Sequence, residues 1–148
     1  MNSTFHSLHS TIFSLGHETT ANTITFAILE LCKNATIQEK LYNEVKDFKL
    51  SQDTDPLASL FTLKYLDNVF KETQRLHSIV HRVVRTNYEP VELEPGHVIP
   101  KGSILGVYIK GVHLNPEYHP DPLLFNPDRF DGDIDPLTFI PFGYFFDS

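Results

Sequence analysis

A long stretch of helical periodicity near the start of the chain constrains its fold more than any other feature. Between residues 11 and 33, apolar side chains recur at intervals of three and four, which is the spacing of one helix face. Gly16 and the threonines after it weaken this helix, because glycine costs about 1 kcal/mol in a helix interior and threonine hydroxyls compete for backbone carbonyls. The pattern therefore predicts a long helix over 11–33, with a kink near Gly16.

Two further helices are predicted in the first half of the chain. An apolar stripe favours a helix over 36–49, and the capping-box pattern of Thr36 and Glu39 places its start at Thr36. Residues 57–61 fit a short helical turn, and residues 63–77 again show helical spacing. The side of this last helix that is predicted to be buried carries Leu63, Leu66, Val69, Phe70 and Leu76.

The second half of the chain has the texture of strands and loops. Short runs of β-branched residues between Pro-Gly turn signals predict strands within 79–114, the longest over 104–112. Residues 115–148 are rich in proline and aspartate and predict loops, with a short helix at 116–118. These elements predict a mainly α fold with small β-sheets (α+β), in one domain over 1–148.

Composition and charge exclude several classes of function. The net charge of −7 argues against a nucleic-acid partner, because a phosphate-binding surface needs clustered lysine and arginine. The first ten residues carry no positive charge, and the longest apolar run is far shorter than the roughly 20 residues that span a bilayer. We therefore expect no signal peptide or membrane anchor in this chain. We also expect no metal site at the histidine pairs, because they lack the third ligand that such a site needs.

Cys32 is the only cysteine in the sequence, which excludes a disulfide framework and a multi-cysteine zinc site. It lies toward the C-terminal end of the predicted helix 11–33, where the helix dipole disfavours a thiolate. We therefore expect this side chain to have a packing role.

The run Leu-Gly-His-Glu-Thr-Thr at residues 15–20 is the first motif that suggests chemistry. A kinked helix opens a small pocket, where the hydroxyl of Thr19 beside the carboxylate of Glu18 can pass protons toward a bound ligand. On these residues alone a simpler interpretation is favoured, in which Gly16 is a weak spot and Glu18 a solvated charge.

Glu72 and Arg75 form a second motif, Glu-x-x-Arg, and their spacing puts both side chains on one helix face. Such a pair alone is usually a surface ion pair worth at most ~1 kcal/mol. Two further motifs follow it along the chain. They are Phe-Asn-Pro-Asp-Arg-Phe at 125–130 and Asp-Pro-Leu-Thr-Phe-Ile-Pro-Phe-Gly at 135–143.

In this order and at this spacing, the motifs resemble those of the cytochrome P-450 family of haem-thiolate monooxygenases. The resemblance runs from about residue 10 to residue 143 and is closest to the microsomal clan that oxidises drugs and xenobiotics. Residues 15–20 are similar to the oxygen-binding motif of the family's central helix, although Leu15 replaces the usual Ala or Gly. Residues 63–76 are similar to its K helix, and residues 125–130 to its Pro-x-Arg-Phe signature.

The resemblance implies a role for each matching residue. Thr19 is expected to hydrogen-bond iron-bound dioxygen, and Glu18 to feed the proton path. Gly16 and Arg85 are expected at the haem, Arg85 through a propionate, although Arg85 read alone is equally an ordinary strand-edge charge. Residues 79–84 are expected to line the substrate pocket. A buried structural network is expected from Glu72, Arg75 and Arg129.

The family's chemistry completes the expectation from the resemblance. It implies haem as the cofactor, an apolar small molecule and dioxygen as substrates, and a reductase as the electron donor. It also implies the endoplasmic reticulum membrane as the location. The fold implied is the part of the family's domain from its central helix to the loop before the haem-binding cysteine.

The haem loop itself is where the resemblance fails. When the family's Phe-Gly-x-Gly-x-Arg-x-Cys is aligned on Phe142 and Gly143, its second glycine falls on Phe145 and its arginine on Asp147. The axial cysteine would follow Ser148. We therefore expect the chain as printed to be catalytically inactive, with exposed apolar faces and low solubility. The alternative is a non-catalytic isoform or pseudoenzyme that acts only by binding another protein.

Overall fold

The computed structural model describes the backbone of residues 2–49 and 56–143, and the side chains of residues 16–49 and 58–143. Within these ranges helices come first and two small antiparallel sheets follow, which confirms the predicted α+β class. The expectations for Phe145 and Asp147 lie outside the described residues. The elements are α1 (Asn2–Lys33), α2 (Ala35–Val45), α3 (Pro56–Leu60), α4 (Lys64–Leu76), β1 (Val83–Thr86), β2 (Val91–Glu94), β3 (His97–Ile99), β4 (Ile104–Val107), α5 (Ile109–His113) and a 3₁₀ helix (Pro127–Phe130).

Helix α1 begins earlier than predicted and continues through Gly16 without a break. Its threonine hydroxyls donate to the carbonyls four residues before them, as from Thr20 to Gly16 and from Thr23 to Thr19, both at 2.9 Å. Such bonds supplement the helical ladder and are known to bend helices slightly. The helix is not interrupted at Gly16, and the kink predicted there stays a prediction.

The predicted start of α2 is wrong. The helix begins at Ala35 and ends at Val45, so Thr36 lies inside the first turn and forms no capping box. Asn34 occupies the position before the helix, but its side-chain Nδ2 donates backward to the carbonyl of Glu30 at 2.8 Å. This bond closes the end of α1, which leaves the start of α2 without a side-chain cap.

Helix α4 is capped by a side chain from another helix. Leu63 precedes its first turn and provides no side-chain hydrogen bond. The carboxylate of Glu44, at the end of α2, instead accepts from the backbone N–H groups of Tyr65 and Leu66 at 2.8 and 2.9 Å. Because these donors have no partner within their own helix, Glu44 satisfies the start of α4 and joins it to α2.

Replacing Glu44 by alanine is expected to lower the free energy of unfolding by about 1–2 kcal/mol, the usual effect of losing a helix cap. The matched control is Glu39→Ala, which removes an exposed carboxylate from the same helix and should change stability by less than about 0.5 kcal/mol. Urea titration followed by circular dichroism measures both. Equal effects of the two substitutions would show that the contacts of Glu44 with α4 contribute nothing.

The sheets are short and lie at the molecular surface. β1 pairs antiparallel with β4, with Val83 opposite Val107, and β2 pairs with β3 in a hairpin. Gly96 turns this hairpin with φ of 86°, a conformation that side chains other than glycine rarely adopt. The strand predicted over 104–112 is wrong beyond Val107.

Residues 109–113 form α5 instead of a strand because two of their side chains are buried together on one helix face. Ile109 and His113 are four residues apart and fully buried, and α5 packs against α4. This packing outweighs the β-propensity of the segment. Gly111 permits it, since a Cβ there would lie 2.5 Å from the Tyr108 ring. The helix predicted at 116–118 is also wrong, because those residues form a turn.

The core centres on α4, but its buried side differs from the prediction. Leu63 and Val69 are buried as predicted, whereas Leu66, Phe70 and Leu76 are only half-buried. Tyr65, Val69 and Phe125 form the apolar cluster. The remaining buried side chains of α4 are polar or charged: Asn68, Glu72, Thr73 and Arg75.

The expected exposed apolar faces are present. On α1 these faces include Ile24, Ile28 and Leu29. In the second half of the chain, Phe142 is 71% exposed. Cys32 is exposed as well, so its predicted packing role is wrong. Among the described helices, none is both long and apolar enough to cross a bilayer.

Candidate functional site

A cavity of about 560 Å³ lies between α1, the C-terminal end of α4 and the residues just before Gly143. Its α1 wall includes Thr19, Thr20 and Thr23, and the hydroxyls of Thr20 and Thr23 donate to backbone carbonyls of α1. Gln74 and Ser78 add polar groups on the side of α4, but most of the lining surface is apolar, so the cavity suits a largely apolar ligand. The apolar side chains that line it are Ile24, Phe70, Ile79, Val80, Pro141 and Phe142.

The structure places two residues of the first motif, Thr19 and Thr20, in the lining of this cavity. Thr19 is half-buried and lines it, whereas Glu18 and Gly16 are exposed and are not among its described lining residues. Sequence reasoning missed Thr23, although its spacing of four from Thr19 puts both on one helix face. The site is thus richer in hydroxyl groups than the motif alone indicates.

The segment predicted to line the substrate pocket does so only at its start. Ile79 and Val80 line the cavity, but His81 and Arg82 are exposed and are not among its lining residues. Arg85 lies on β1 with an exposed side chain, and its Nη1 donates to the carbonyl of Val84 at 2.9 Å. The structure therefore does not bring Arg85 to the cavity.

Glu72 and Arg75 form a fully buried, bidentate ion pair on α4. Arg75 donates from Nε and Nη2 to the two carboxylate oxygens of Glu72, at 2.7 and 2.8 Å. The remaining donor Nη1 is used as well, since it bonds the carbonyls of His113 and Pro122 at 2.8 Å. A buried pair tolerates its loss of hydration only with such complete hydrogen bonding.

Arg129 approaches the same carboxylate from the 3₁₀ helix. Its Nε donates to Oε1 of Glu72 at 3.1 Å, and its side chain is 12% exposed. Its other nitrogens bond the carbonyls of Pro120 and Asp121 at 3.0 and 3.3 Å. Asp121 has a φ of 50°, which is in the left-handed region. Arg129 therefore bonds the carbonyl of a residue in this uncommon conformation. The structure thus brings all three residues of the expected network together.

A second polar junction joins α1 to the end of α4. Oε1 of Glu30 accepts from Lys33 and from Nε2 of His77, each at 2.9 Å, and the His77 ring stacks on Phe26. Burial raises the pKa of Glu30, but these two hydrogen bonds outweigh it and hold the pKa below its ordinary value. The junction fixes α1 beside the segment that begins at His77, and sequence patterns did not indicate it.

Two histidines, His113 and His119, are buried near the end of α4 and residues 138–140. Nδ1 of His113 lies 3.0 Å from the hydroxyl of Ser78, and Nε2 of His119 lies 2.9 Å from the carbonyl of Thr138. Burial lowers the pKa of His113 to about 4, helped by the charges of His119 and Arg75. Burial lowers the pKa of His119 as well. Both rings are therefore neutral near pH 7.

Known proteins resemble this chain over most of its length. The model of the family Cytochrome P-450 matches residues 4–144. The chain belongs to the cytochrome P-450 family. It is 38% identical over 133 residues to cytochrome P-450 3A31 of Mesocricetus auratus, covering 86% of this chain and 26% of that protein.

Two other cytochromes P-450 show the same extent of similarity. Cytochrome P-450 3A18 of Rattus norvegicus is 36% identical over 132 residues, which are 86% of this chain and 26% of that protein. Cytochrome P-450 4c21 of Blattella germanica is 37% identical over 140 residues, 91% of this chain and 28% of that protein. The chain spans about a quarter of the length of these relatives.

Haem is the cofactor of cytochromes P-450, which hold the iron through a cysteine thiolate. The described residues fit only part of this requirement. The hydroxyl-bearing apolar cavity suits the substrate side, but the thiol of Cys32 is exposed on α1 and is not among the residues that line the cavity. In the part of the chain described, no three side chains of metal-ligating type are grouped.

Proposed function

We propose that the protein represented by this chain is a haem-dependent monooxygenase that inserts one atom of dioxygen into an apolar small molecule. The observation that carries this proposal is the position of Thr19, in the wall of an apolar cavity opposite Ile79 and Val80. A hydroxyl at such a position can exchange a proton or a hydrogen bond with a polar atom of a ligand. Membership of the cytochrome P-450 family supports the choice of reaction.

Each remaining site residue has a role in this proposal. Glu18 precedes Thr19 on α1, and its side chain is exposed to solvent. In this proposal it takes protons from solvent and passes them toward the hydroxyl of Thr19. Gly16 and Arg85 act at the haem, although neither reaches the cavity in this chain. The network of Glu72, Arg75 and Arg129 positions the loop that leads toward the haem.

The partners and location follow from the family. We propose a reductase as the source of electrons and the endoplasmic reticulum membrane as the place of action. The lining of the cavity supports an apolar substrate, because Phe70, Ile79 and Val80 offer no charge to recognise a polar one.

We further propose that the 148 residues alone do not form the haem-thiolate centre. Their one thiol belongs to Cys32, which is exposed near the C-terminal end of α1. No other sulfur ligand with a thiol is available in this sequence.

The experiment is a difference spectrum of the haem-loaded 148-residue chain, reduced and exposed to carbon monoxide. The expected result is the absence of a thiolate-type band. If the reading frame after the codon for Ser148 encodes Gly-x-Arg-x-Cys, the longer product should show that band and oxidise apolar substrates.

The matched control is Cys32→Ser in both polypeptides. It should leave each spectrum unchanged, because the exposed thiol takes no part in iron binding. A thiolate-type band in the 148-residue chain that disappears with Cys32→Ser would overturn the proposal about that chain. A longer product with the complete loop but no thiolate band would overturn the proposed reaction.

A further inference from the structure

Residues 138–140 are attached to the rest of the molecule by two buried imidazole rings. The backbone N–H of Ile140 donates to Nε2 of His113 at 3.0 Å. Two residues earlier, the carbonyl of Thr138 lies 2.9 Å from Nε2 of His119. Pro141 and Phe142, which line the cavity, follow directly. The two rings therefore control where this wall begins.

The partners of His113 fix its tautomer. Because the N–H of Ile140 can only donate, Nε2 of His113 carries no proton and accepts. The proton of the neutral ring is then on Nδ1, which donates to the hydroxyl of Ser78 at 3.0 Å. That hydroxyl passes its own hydrogen to a carbonyl at the end of α4, of Gln74 or Arg75, each at 3.2 Å.

The partner of His119 fixes the opposite tautomer. A carbonyl oxygen can only accept, so Nε2 of His119 carries the proton that it donates to Thr138. The two hydrogen bonds to residues 138–140 therefore require opposite tautomers of His113 and His119. Arg75 lies beside this arrangement, since its Nη1 donates to the backbone carbonyl of His113 at 2.8 Å.

The surroundings keep both rings in place and neutral. His113 is fully buried and His119 is 4% exposed. Phe139 stacks on His113 with ring centroids 5.3 Å apart and meets Phe130 edge-on at 5.0 Å. The charged groups that face His113 are Arg75 and, when protonated, His119, and both oppose a positive charge on the ring. A proton on Nε2 of His113 would also break its bond to Ile140.

We propose that His113 and His119, as opposite neutral tautomers, form a clamp that positions residues 138–142 against the end of α4. The clamp sets the separation between the wall made by Pro141 and Phe142 and the wall that begins after Ser78. Both are positioning residues, not catalytic ones. The clamp exists without haem, and only its use in substrate binding rests on the proposed function.

The first test observes the tautomers in the ¹⁵N-labelled 148-residue chain at pH 7.5. Correlation of ring nitrogens with ring carbon-bound protons separates protonated from unprotonated nitrogen, and the His113→Gln and His119→Gln variants assign the signals. The expected result is a protonated Nδ1 in His113 and a protonated Nε2 in His119. The same tautomer in both rings, or a doubly protonated His113, would overturn the clamp.

The second test measures hydrogen exchange of the Ile140 amide. His113→Phe keeps a flat ring but removes the acceptor, so exchange of this amide should accelerate roughly tenfold. His113→Gln retains an acceptor at the corresponding distance and should restore most of the protection. His119→Phe removes only the bond to Thr138 and should leave the Ile140 amide within about threefold of wild type.

The amide of Val69, inside α4, reports global opening in the same spectra. The clamp requires that His113→Phe change exchange at Ile140 and not at Val69. Equal acceleration at both amides would reduce His113 to a general core residue and overturn the proposal, as would unchanged exchange at Ile140. Loss of the carbon monoxide band in a longer product would leave these results untouched, so the two proposals fail separately.

Discussion

Replacing Arg75 by methionine is expected to lower the free energy of unfolding by about 3–5 kcal/mol, the effect of removing one partner from a buried ion pair. Methionine fills much of the same space but leaves the carboxylate of Glu72 with Arg129 as its only charged partner among the described residues. It also leaves the carbonyls of His113 and Pro122 without their donor. Because the total stability of a domain is about 5–15 kcal/mol, such a loss removes a large part of the stability and leaves a protein at the low end of that range only marginally folded.

The matched control for Arg75 lies one turn away on the same helix. Lys71 pairs with Asp67 at 2.6 Å, a distance no longer than that between Arg75 and Glu72, but both of its partners are well exposed. Lys71→Met should therefore change stability by at most about 1 kcal/mol. Both substitutions remove one positive charge from α4 and introduce the same methionine. A difference between their effects on stability is therefore due to burial.

Urea titration followed by circular dichroism measures both variants, and two further ones sharpen the result. Arg75→Lys keeps the charge but loses the planar fork, so it should fall between wild type and Arg75→Met. Glu72→Gln combined with Arg75→Met should destabilise by less than the two single effects added together, because it removes the unpaired charge. If Arg75→Met and Lys71→Met have similar midpoints, the network contributes no more than a surface pair.

The sequence predicted the pairing of Glu72 and Arg75 but not its energetic importance. Spacing of three defines a shared helix face, and this is a local property. Burial of that face depends on Pro122 and Arg129, which come about fifty residues later and meet α4 only in the folded chain. The family resemblance supplied this information, whereas the spacing alone indicated an exposed pair.

Local patterns failed where a distant residue decides the structure. The capping box starting at Thr36 is not formed, and the cap of α4 comes instead from Glu44, some twenty residues before its partners. Residues 109–113 have the composition of a strand but become a helix because Ile109 and His113 are buried against α4. Neither outcome has a signal within the segment itself.

The candidate site shows the same division. Thr19 was predicted from its motif and lines the cavity, and Thr23 could have been found from helical spacing. His119 gave no sequence signal, since an isolated histidine in a proline-rich stretch has no periodic context. Its role depends on Thr138, which lies nineteen residues later in a segment without regular structure.

Acidification from pH 7 to pH 4 is expected to destabilise the chain through His113 by about 3 kcal/mol. Burial, with the charges of His119 and Arg75, lowers the pKa of this ring from 6.5 to about 4 in the folded state. An unfolded chain restores the ordinary value, so between these two pH values the unfolded state binds more protons. The stabilisation is therefore fully present above pH 6.5 and is lost as the pH falls toward 4.

Two other groups change stability in the same direction and must be separated from His113. The pKa of His119 is also lowered by burial, and that of Glu30 is lowered by its hydrogen bonds from Lys33 and His77. Each loses stabilisation as the pH falls, Glu30 only below its ordinary value of 4.5. The wild-type profile alone therefore contains several contributions, and a variant that does not titrate at position 113 is needed.

His113→Gln provides that variant, because glutamine keeps an acceptor for the N–H of Ile140 and carries no titrating proton. Unfolding by urea at several pH values should show that wild type loses about 3 kcal/mol more than this variant between pH 7 and pH 4. Ser78→Ala is the control, since it removes a hydrogen-bond partner of the His113 ring but leaves the ring itself. It should lower the free energy of unfolding by about 1 kcal/mol and keep the pH dependence of wild type. Parallel profiles for wild type and His113→Gln would mean that the ring is not held neutral by the fold, and the acid sensitivity would then have to come from the carboxylates.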